Sequence, residues 1–513
     1  MKTTVKRILA LLMAFAMCFI AVGCKSEPEY ESYLSYAYEE VDTSSDVEQS
    51  TSSKKEGTNK NSSKKPGKSS KKTPSKTPSK ENTVNVKGYN FTIQSAWMAK
   101  SAKDAVMEQE KSFYKVASQI QKKYGCTIEV TSGNMTMDNM RTLIMSGSKV
   151  ADAVDLMTEQ LLSYAAAGFI VPWEKAGIDA TSNNYVQGYT KMATIGGKHY
   201  GVSYMRAPEA RMSVVFNKGV LNSAGINADG IYDLVKAKKW NWETLRSYAK
   251  TVVAKNTNNN VTSVWGVGGW FDKFIRGLYV SNGATLAAVK DGKGVTTFAS
   301  NNMKEALNFA SQLINVDKVY DANKYRNADS FDMTDNGDYN DQFQAGKLAF
   351  LFQETYWVSK YFNKGFDYGI VPVPMGPKAS NYATESGKAR VLTLTSTNAK
   401  SKTLDKTAFI LTKLAEGCAA GGDINAKYDG ESWWQYDLKQ EYFRNDRDKN
   451  LEMYNILLDT ATIDYGVTTT LKEAFDKTVT RDAIFCNKSS IESAIQSIGS
   501  QYDQAVSKAF TFK

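Results

Sequence analysis

Residues 113–130 read Phe-Tyr-Lys-Val-Ala-Ser-Gln-Ile-Gln-Lys-Lys-Tyr-Gly-Cys-Thr-Ile-Glu-Val. Phe113, Ala117, Ile120 and Tyr124 recur at helical spacing, so one face of a helix is apolar. Gly125 stands where a helix ends through left-handed backbone, which glycine adopts without strain. Beyond it Cys126, Ile128 and Val130 alternate with polar residues, the pattern of a half-buried strand. A helix closing on a strand within two residues is half of a βαβ unit.

Working outward, the same alternation continues. Phe91 to Trp97 alternates as a strand before the helix, whose apolar face starts as early as Val106. Asp138 is expected to cap a short helix carrying Leu143 and Ile144 and stopped at Gly147. Ala153–Met157 reads as a third strand and Leu161–Ala167 as a short helix. Asn241 opens a helix whose inner face is Trp242, Leu245, Ala249 and Val252. Met303 to Val316 is another, with Ala306, Phe309, Ala310 and Leu313 inward. Leu348–Phe352 is an unbroken apolar run, as a strand buried on both faces requires. Tyr368–Val373 is strand-like but ends in prolines, which suits a crossover between two bodies. From about residue 405 the chain is mostly helical. Strands alternating with helices predict an α/β fold with mainly parallel sheets covered on both faces.

The chain has 513 residues, a net charge of +10 and a single histidine, His199. One histidine excludes zinc sites built on several and an H-E-x-x-H protease. Five cysteines without a C-x-x-C pair exclude a zinc ribbon or a disulfide scaffold. Asp332 to Phe343 imitates an EF-hand loop but ends on Phe343 where a glutamate is needed. Gly266-Val-Gly-Gly269 lacks the Lys-Ser/Thr of a P-loop. No metal and no cofactor is expected, and composition leans toward binding and away from catalysis.

The charge is unevenly spread. Residues 1–7 are basic, and Ile8–Ala21 is an apolar run too short to span a bilayer as a mature helix. Small residues follow and end at Cys24, so 1–23 reads as a signal peptide. Residues 25–48 are acidic. Residues 49–80 carry ten lysines against Glu56, among Ser, Thr, Pro, Asn and Gly. With no large apolar side chain there, nothing offsets the entropy of ordering. Residues 24–85 are therefore read as a tether, reaching roughly 45 Å as a random coil of about 60 residues. The remaining domain is only mildly basic, and no nucleic-acid partner is expected.

The order of segments resembles the extracellular solute-binding proteins of ABC importers, the maltose-type and multiple-sugar-type group. The resemblance runs from about Tyr89 to the C-terminus. It is carried by Ile120–Val130, by Ile144–Asp155 and by Ala165-Ala-Ala-Gly-Phe-Ile-Val-Pro172. It continues through Gly197-Lys-His-Tyr-Gly-Val-Ser-Tyr204, Val215-Phe-Asn-Lys218 and Trp242-Glu-Thr-Leu245. Phe343-Gln-Ala-Gly-Lys-Leu-Ala-Phe350 and Ile370-Val-Pro-Val-Pro-Met-Gly-Pro377 complete it. Ala21-Val-Gly-Cys24 resembles a bacterial lipobox, which implies cleavage before Cys24 and acylation of its thiol. His199 falls where the family usually has an apolar residue, so local structure is expected of it. Residues 420–450 have no clear counterpart.

The resemblance implies a two-lobed periplasmic-binding-protein-like fold of type II, hinged by two or three crossovers. Lobe one is expected at 86–206 with about 375–420, and lobe two at 207–374 with about 421–513. It also implies no enzymatic activity, a monomer, a sugar or oligosaccharide ligand, and ABC permease subunits as partners. The membrane is reached through a lipid anchor.

Ligands of open α/β sheets sit beyond the carboxyl ends of the strands. That rule selects Trp97 after the first strand, Asp155 in the third, and Gln353, Glu354, Tyr356 and Trp357 after 348–352. Arg206 and Glu209 on the first crossover are placed at the same cleft. Trp270 and Phe271 follow a glycine run that lets a ligand approach, and Trp434 offers a further aromatic plane. Trp242 is read as core and Trp173 as capping a lobe. Aromatic planes suit the apolar C–H faces of sugars, and carboxylate, amide and guanidinium groups suit their hydroxyls. Three other functions stay open: capture of a peptide or phosphate ester, a surface glycan receptor without a permease, and a secreted hydrolase.

Overall fold

The structure is a computed structural model. It describes residues 84–509 except 106–107, 134, 205–211, 291–292, 323–324, 327–330, 332–338, 356–357, 359–365, 386–388, 421–426, 429–430, 433–438, 440–442, 444 and 468. Contacts divide the chain into two units, 1–80 and 81–513. The description below concerns the second.

In chain order the elements that matter are these. The first series is β1 (Asn90–Gln94), α1 (Glu108–Tyr124), β2 (Thr127–Thr131), α2 (Met137–Met145), β3 (Ala153–Met157), α3 (Leu161–Ala166), β4 (Ile170–Val171) and α4 (Gln187–Met192). The second is β5 (Met212–Asn217), α5 (Lys218–Ser223), α6 (Trp242–Lys255), β6 (Trp265–Gly269), α7 (Phe271–Ser281), α8 (Asn301–Ser311), β7 (Leu348–Glu354) and β8 (Tyr368–Val371). Then come β9 (Thr384–Glu385), β10 (Arg390–Thr395), α9 (Leu404–Ala420), α10 (Arg447–Asp459), β11 (Ala461–Thr462), α11 (Thr469–Phe475) and α12 (Ile491–Ala509).

Local chemistry explains most boundaries. Gly125 has φ of +67° and its N–H returns to the Gln121 carbonyl, closing α1. The Asn241 side chain accepts from Thr244 N at 3.0 Å and opens α6. The cap of α2 is Thr136, whose hydroxyl accepts from Asn139 N, and not Asp138. Asp138 lies two residues further on, within the first turn, favourable toward the helix dipole, and pairs with Arg141 at 2.5 Å.

Two sheets organise the body. The first has the order β2-β1-β3-β10-β4, the second β6-β7-β5-β8. The α/β class stands, but the sheets are mixed rather than mainly parallel. β1 is parallel to β2 and β3, and β6 is parallel to β7. β10 runs antiparallel to β3 and β4, and β5 antiparallel to β7 and β8. The reason is topological. β10 belongs to chain arriving from the second sheet, since only residues 372–389 separate it from β8.

The registers fix where that chain enters. Arg390, the first residue of β10, pairs with Met157, the last of β3. Met212, the first residue of β5, pairs with Glu354, the last of β7. Each antiparallel strand thus starts at the carboxyl end of its sheet's parallel strands. Both carboxyl edges therefore lie where the chain passes between the sheets.

The core is continuous under the second sheet, where every residue of β5 and β7 is buried. Trp240 is fully buried and donates from Nε1 to the Pro372 carbonyl at 2.9 Å. Trp242 stacks on Phe309 with centroids 4.6 Å apart. A second cluster on the first sheet holds Phe91, Phe113, Trp173 and Leu414, with α9 packed on α1. Trp173 donates from Nε1 to the Leu392 carbonyl at 2.8 Å. Trp242 is a core residue as its sequence context predicts; Trp173, expected to cap a lobe, is fully buried as well.

Candidate functional site at the carboxyl edges of the two sheets

At the first edge, Ser95 follows β1 and is buried. Its hydroxyl donates to Asp155 Oδ2 at 2.7 Å and accepts from Trp97 N at 3.1 Å and Met98 N at 3.0 Å. Asp155, itself 3% exposed, thus holds the turn that presents Trp97. Trp97 is half-buried, and the Arg390 guanidinium lies 4.4 Å from its ring centroid. The loop beyond is tied to α1: Tyr114 OH donates to the Ala99 carbonyl, and Ala99 N donates to Glu110 Oε1 at 3.0 Å. The edge therefore offers an aromatic plane, a guanidinium on that plane, and a carboxylate beneath.

At the second edge, β7 ends in Gln353 and Glu354, both buried. Lys273 Nζ donates to Gln353 Oε1 at 3.2 Å, approaches Glu354 Oε2 at 3.7 Å, and stands 4.9 Å from the Trp270 ring centroid. Gln353 Nε2 donates onward to Asn340 Oδ1 at 2.8 Å. Trp270 is half-buried at the N-terminus of α7, and its indole N–H has no partner among the described residues. A buried N–H without an acceptor costs about 1–3 kcal/mol, so a ligand oxygen there would restore what folding lost.

Phe271 lies one residue on and turns the other way. It is 1% exposed, with ring centroids 5.0 Å from Phe331 and 5.6 Å from Tyr325. That side chain is core, a correction to its expected place beside a ligand. The glycines before it also have a packing role. A Cβ on Gly269, where φ is +150°, would lie 2.8 Å from the Phe352 carbonyl oxygen, and one on Gly266 2.7 Å from the Ala249 Cα. Close approach of β6 to β7 and α6 requires them. Arg206, Glu209, Tyr356, Trp357 and Trp434 lie outside the described residues, as does Cys24.

The charged side chains of α7 escaped sequence reasoning. Every residue of the helix is buried, Asp272, Lys273 and Arg276 included. Arg276 Nη2 donates to Asp272 Oδ2 at 2.8 Å and Arg276 Nη1 lies 3.5 Å from Glu385. Lys472 reaches Asp272 at 2.9 Å and Asp476 at 2.6 Å. Burial opposes ionisation of Asp272, but Lys472 and Arg276 outweigh it and hold its carboxyl below the usual range. Burial wins at Asp476, whose carboxyl rises to about 6. Asp464 is likewise pushed up to about 6 by burial, although Leu286 N, Gly466 N and Tyr279 OH all donate to it.

His199 pairs with Glu174 through Nδ1 at 2.7 Å and through its backbone N–H. It serves a local hairpin, as its family position implies. Among the described residues no group of histidines, cysteines and carboxylates could hold a metal ion. No helix among them is long and apolar enough to cross a membrane.

The profile of the bacterial extracellular solute-binding protein family matches residues 104–406. No curated protein matches in sequence. Among solved structures, the chain is similar to the cyclic alpha-maltosyl-1,6-maltose binding protein from Arthrobacter globiformis, at 14% identity and a TM-score of 0.56. That match covers 83% of this chain and 99% of the other. It is similar to the GacH receptor of Streptomyces glaucescens, solved with acarbose, at 15% identity and a TM-score of 0.51, covering 82% and 98%. It is similar to UgpB from Mycobacterium tuberculosis, solved with glycerophosphocholine, at 15% identity and a TM-score of 0.53, covering 82% and 98%. At such identities the likeness is one of fold: a two-lobed periplasmic-binding-protein-like arrangement of type II. A match over residues 104–406, more than half of the chain, on two sheets between which the chain passes and returns, makes this chain a member of the bacterial extracellular solute-binding proteins: a binding protein, not an enzyme, that works outside the cytoplasm.

Proposed function

We propose that the chain captures an oligosaccharide between the two carboxyl edges and hands it to an ABC importer permease. The observation that carries this reading is the pair of half-buried tryptophans, Trp97 and Trp270, one at each edge and each beside a cation and a carboxylate. Sugars need an apolar plane and charged hydrogen-bonding groups together. Of the similar structures, one was solved with acarbose and another is named for binding cyclic alpha-maltosyl-1,6-maltose, which supports the class of ligand. Lobe one is proposed as 86–206 with about 375–420, and lobe two as 207–374 with about 421–513. Cys24 is proposed as the acylated anchor, 24–85 as the tether, and the protein as a monomer. Tyr356, Trp357, Arg206, Glu209 and Trp434 are proposed to complete the cleft. Isothermal titration against a panel of linear and cyclic maltodextrins tests the reading. Micromolar binding that Trp97→Ala and Trp270→Ala each abolish is expected, and silence across the panel would refute it.

A second reading has one specific support. Arg390 holds a guanidinium at the first edge, and a relative of this fold holds glycerophosphocholine. The ligand would then be a phosphate ester. Binding of glycerol phosphodiesters with no binding of neutral glycans would select it.

A further inference from the structure

Helix α7 does more than present Trp270. Along its length it is bonded to the two segments that meet between the sheets. One is the crossover 372–389, which carries β9. The other is 461–465, whose strand β11 pairs in parallel with β9, Thr384 with Ala461 and Glu385 with Thr462. This second segment also reaches the first sheet's side. Tyr465 OH donates to the Thr194 carbonyl at 3.1 Å, and a small cavity separates Ala461, Ile463 and Tyr465 from Lys191 and Met192 of α4.

Three ties join α7 to this ribbon. Arg276 Nη1 lies 3.5 Å from Glu385 Oε1, and both side chains are almost wholly buried. One turn later Tyr279 OH donates to Asp464 Oδ2 at 2.8 Å. At the helix end Gly376 N donates to the Ser281 carbonyl at 3.0 Å, and Lys378 N donates to Asn282 Oδ1 at 3.0 Å. The fit is tight. A Cβ on Gly376 would lie 2.3 Å from Asn282 Oδ1, and one on Gly466 2.4 Å from Leu286 Cβ. A buried helix held at positions 276, 279 and 281–282 moves as one body with what it is bonded to.

We propose that α7 is a lever: displacement of Trp270 at its N-terminus is transmitted through Arg276–Glu385 and Tyr279–Asp464 to the β9–β11 ribbon, making these four positioning residues for lobe closure. The proposal rests on the reading that Trp270 faces the ligand, and it names how that contact becomes a change between the lobes. Spatial intermediacy alone does not establish coupling, so the test must measure coupling.

The test uses amide hydrogen exchange on the full-length chain without ligand. Trp270→Ala is expected to speed exchange across 375–385 and 461–466 by roughly tenfold, since local opening follows lost contacts. In a Tyr279→Phe/Glu385→Gln chain, the same replacement is expected to leave both segments within about twofold of their own reference. Should that double variant fold poorly, Tyr279→Phe alone is expected to blunt the response at 461–466 while 375–385 still responds through Glu385. A merely structural role for these residues would raise exchange in the variants but leave the effect of Trp270→Ala unchanged. An equal response in both backgrounds, or none in either, overturns the lever. Maltotetraose titrated into the same proteins reports on the sugar reading separately: absence of heat in all of them counts against that reading, while exchange still decides the lever.

Discussion

Arg390 places its guanidinium 4.4 Å from the Trp97 ring centroid, joining residues 293 positions apart at the carboxyl edge of the first sheet. A half-buried cation–π pair is worth about 0.5–2 kcal/mol. Arg390→Met is expected to lower stability by about 1 kcal/mol and to shift the Trp97 emission. Urea unfolding and tryptophan fluorescence, with Trp97→Phe as the control that removes the shift, check it.

Ser95→Ala removes the donor to Asp155 and the acceptor for two backbone N–H groups. Leaving buried polar groups unpaired costs about 1–3 kcal/mol. A drop of that size in urea unfolding is expected, with weaker ligand binding because the Trp97 turn loosens. A variant as stable as the wild type would show that Asp155 does not hold the turn.

Asp464 should give stability an inverted slope against pH. Its folded carboxyl is raised to about 6, above its unfolded value. Between about pH 4 and 6 the folded state therefore binds more protons than the unfolded state, and stability falls as pH rises. The contribution is on the order of 3 kcal/mol, at 1.36 kcal/mol per unit. Asp476 acts in the same sense. Asp152 and Asp317 are lowered, so what they contribute is lost as the pH falls through their depressed values. Stability is expected to peak near pH 4, where the two effects meet, and Asp464→Asn to flatten the fall from pH 4 to 6. Denaturant midpoints measured across this range test the sign.

Lys218 is nearly buried and pairs with Asp446, with Asp229 at 2.8 Å and with Asp367 at 3.9 Å. It joins α5 to the loops before β8 and α10. The carboxylates are partly exposed and rehydrate when it is removed. Lys218→Met is therefore expected to cost about 2 kcal/mol, below the 3–5 kcal/mol of a fully buried pair. Calorimetric unfolding would show a loss without change in ligand affinity.

What could be read from sequence was what acts locally. Asn241 caps three residues away, Gly125 closes its own helix, and the five-residue apolar run Leu348–Phe352 announces β7, which runs on to Glu354. The strand-end rule selects Trp97, Asp155, Gln353 and Glu354, and the glycine run before it selects Trp270. Ser95, Arg390 and Lys273 could not, because each acts on a partner that only the fold brings near. Phe271 was misplaced because the backbone turns there from the extended cap residue Trp270 into the helix, so the two neighbouring side chains leave in different directions. The antiparallel sense of β5 and β10 was hidden for a similar reason: a strand pattern carries no direction.

β10 lies between β3 and β4 in the first sheet, although it follows them by more than two hundred residues. As the chain is made, residues 90–171 therefore emerge with a gap in their sheet that only residues 390–395 can fill. Edges left open in this way invite pairing with the wrong chain. That sheet must wait, incomplete, for a strand delivered after the whole second sheet.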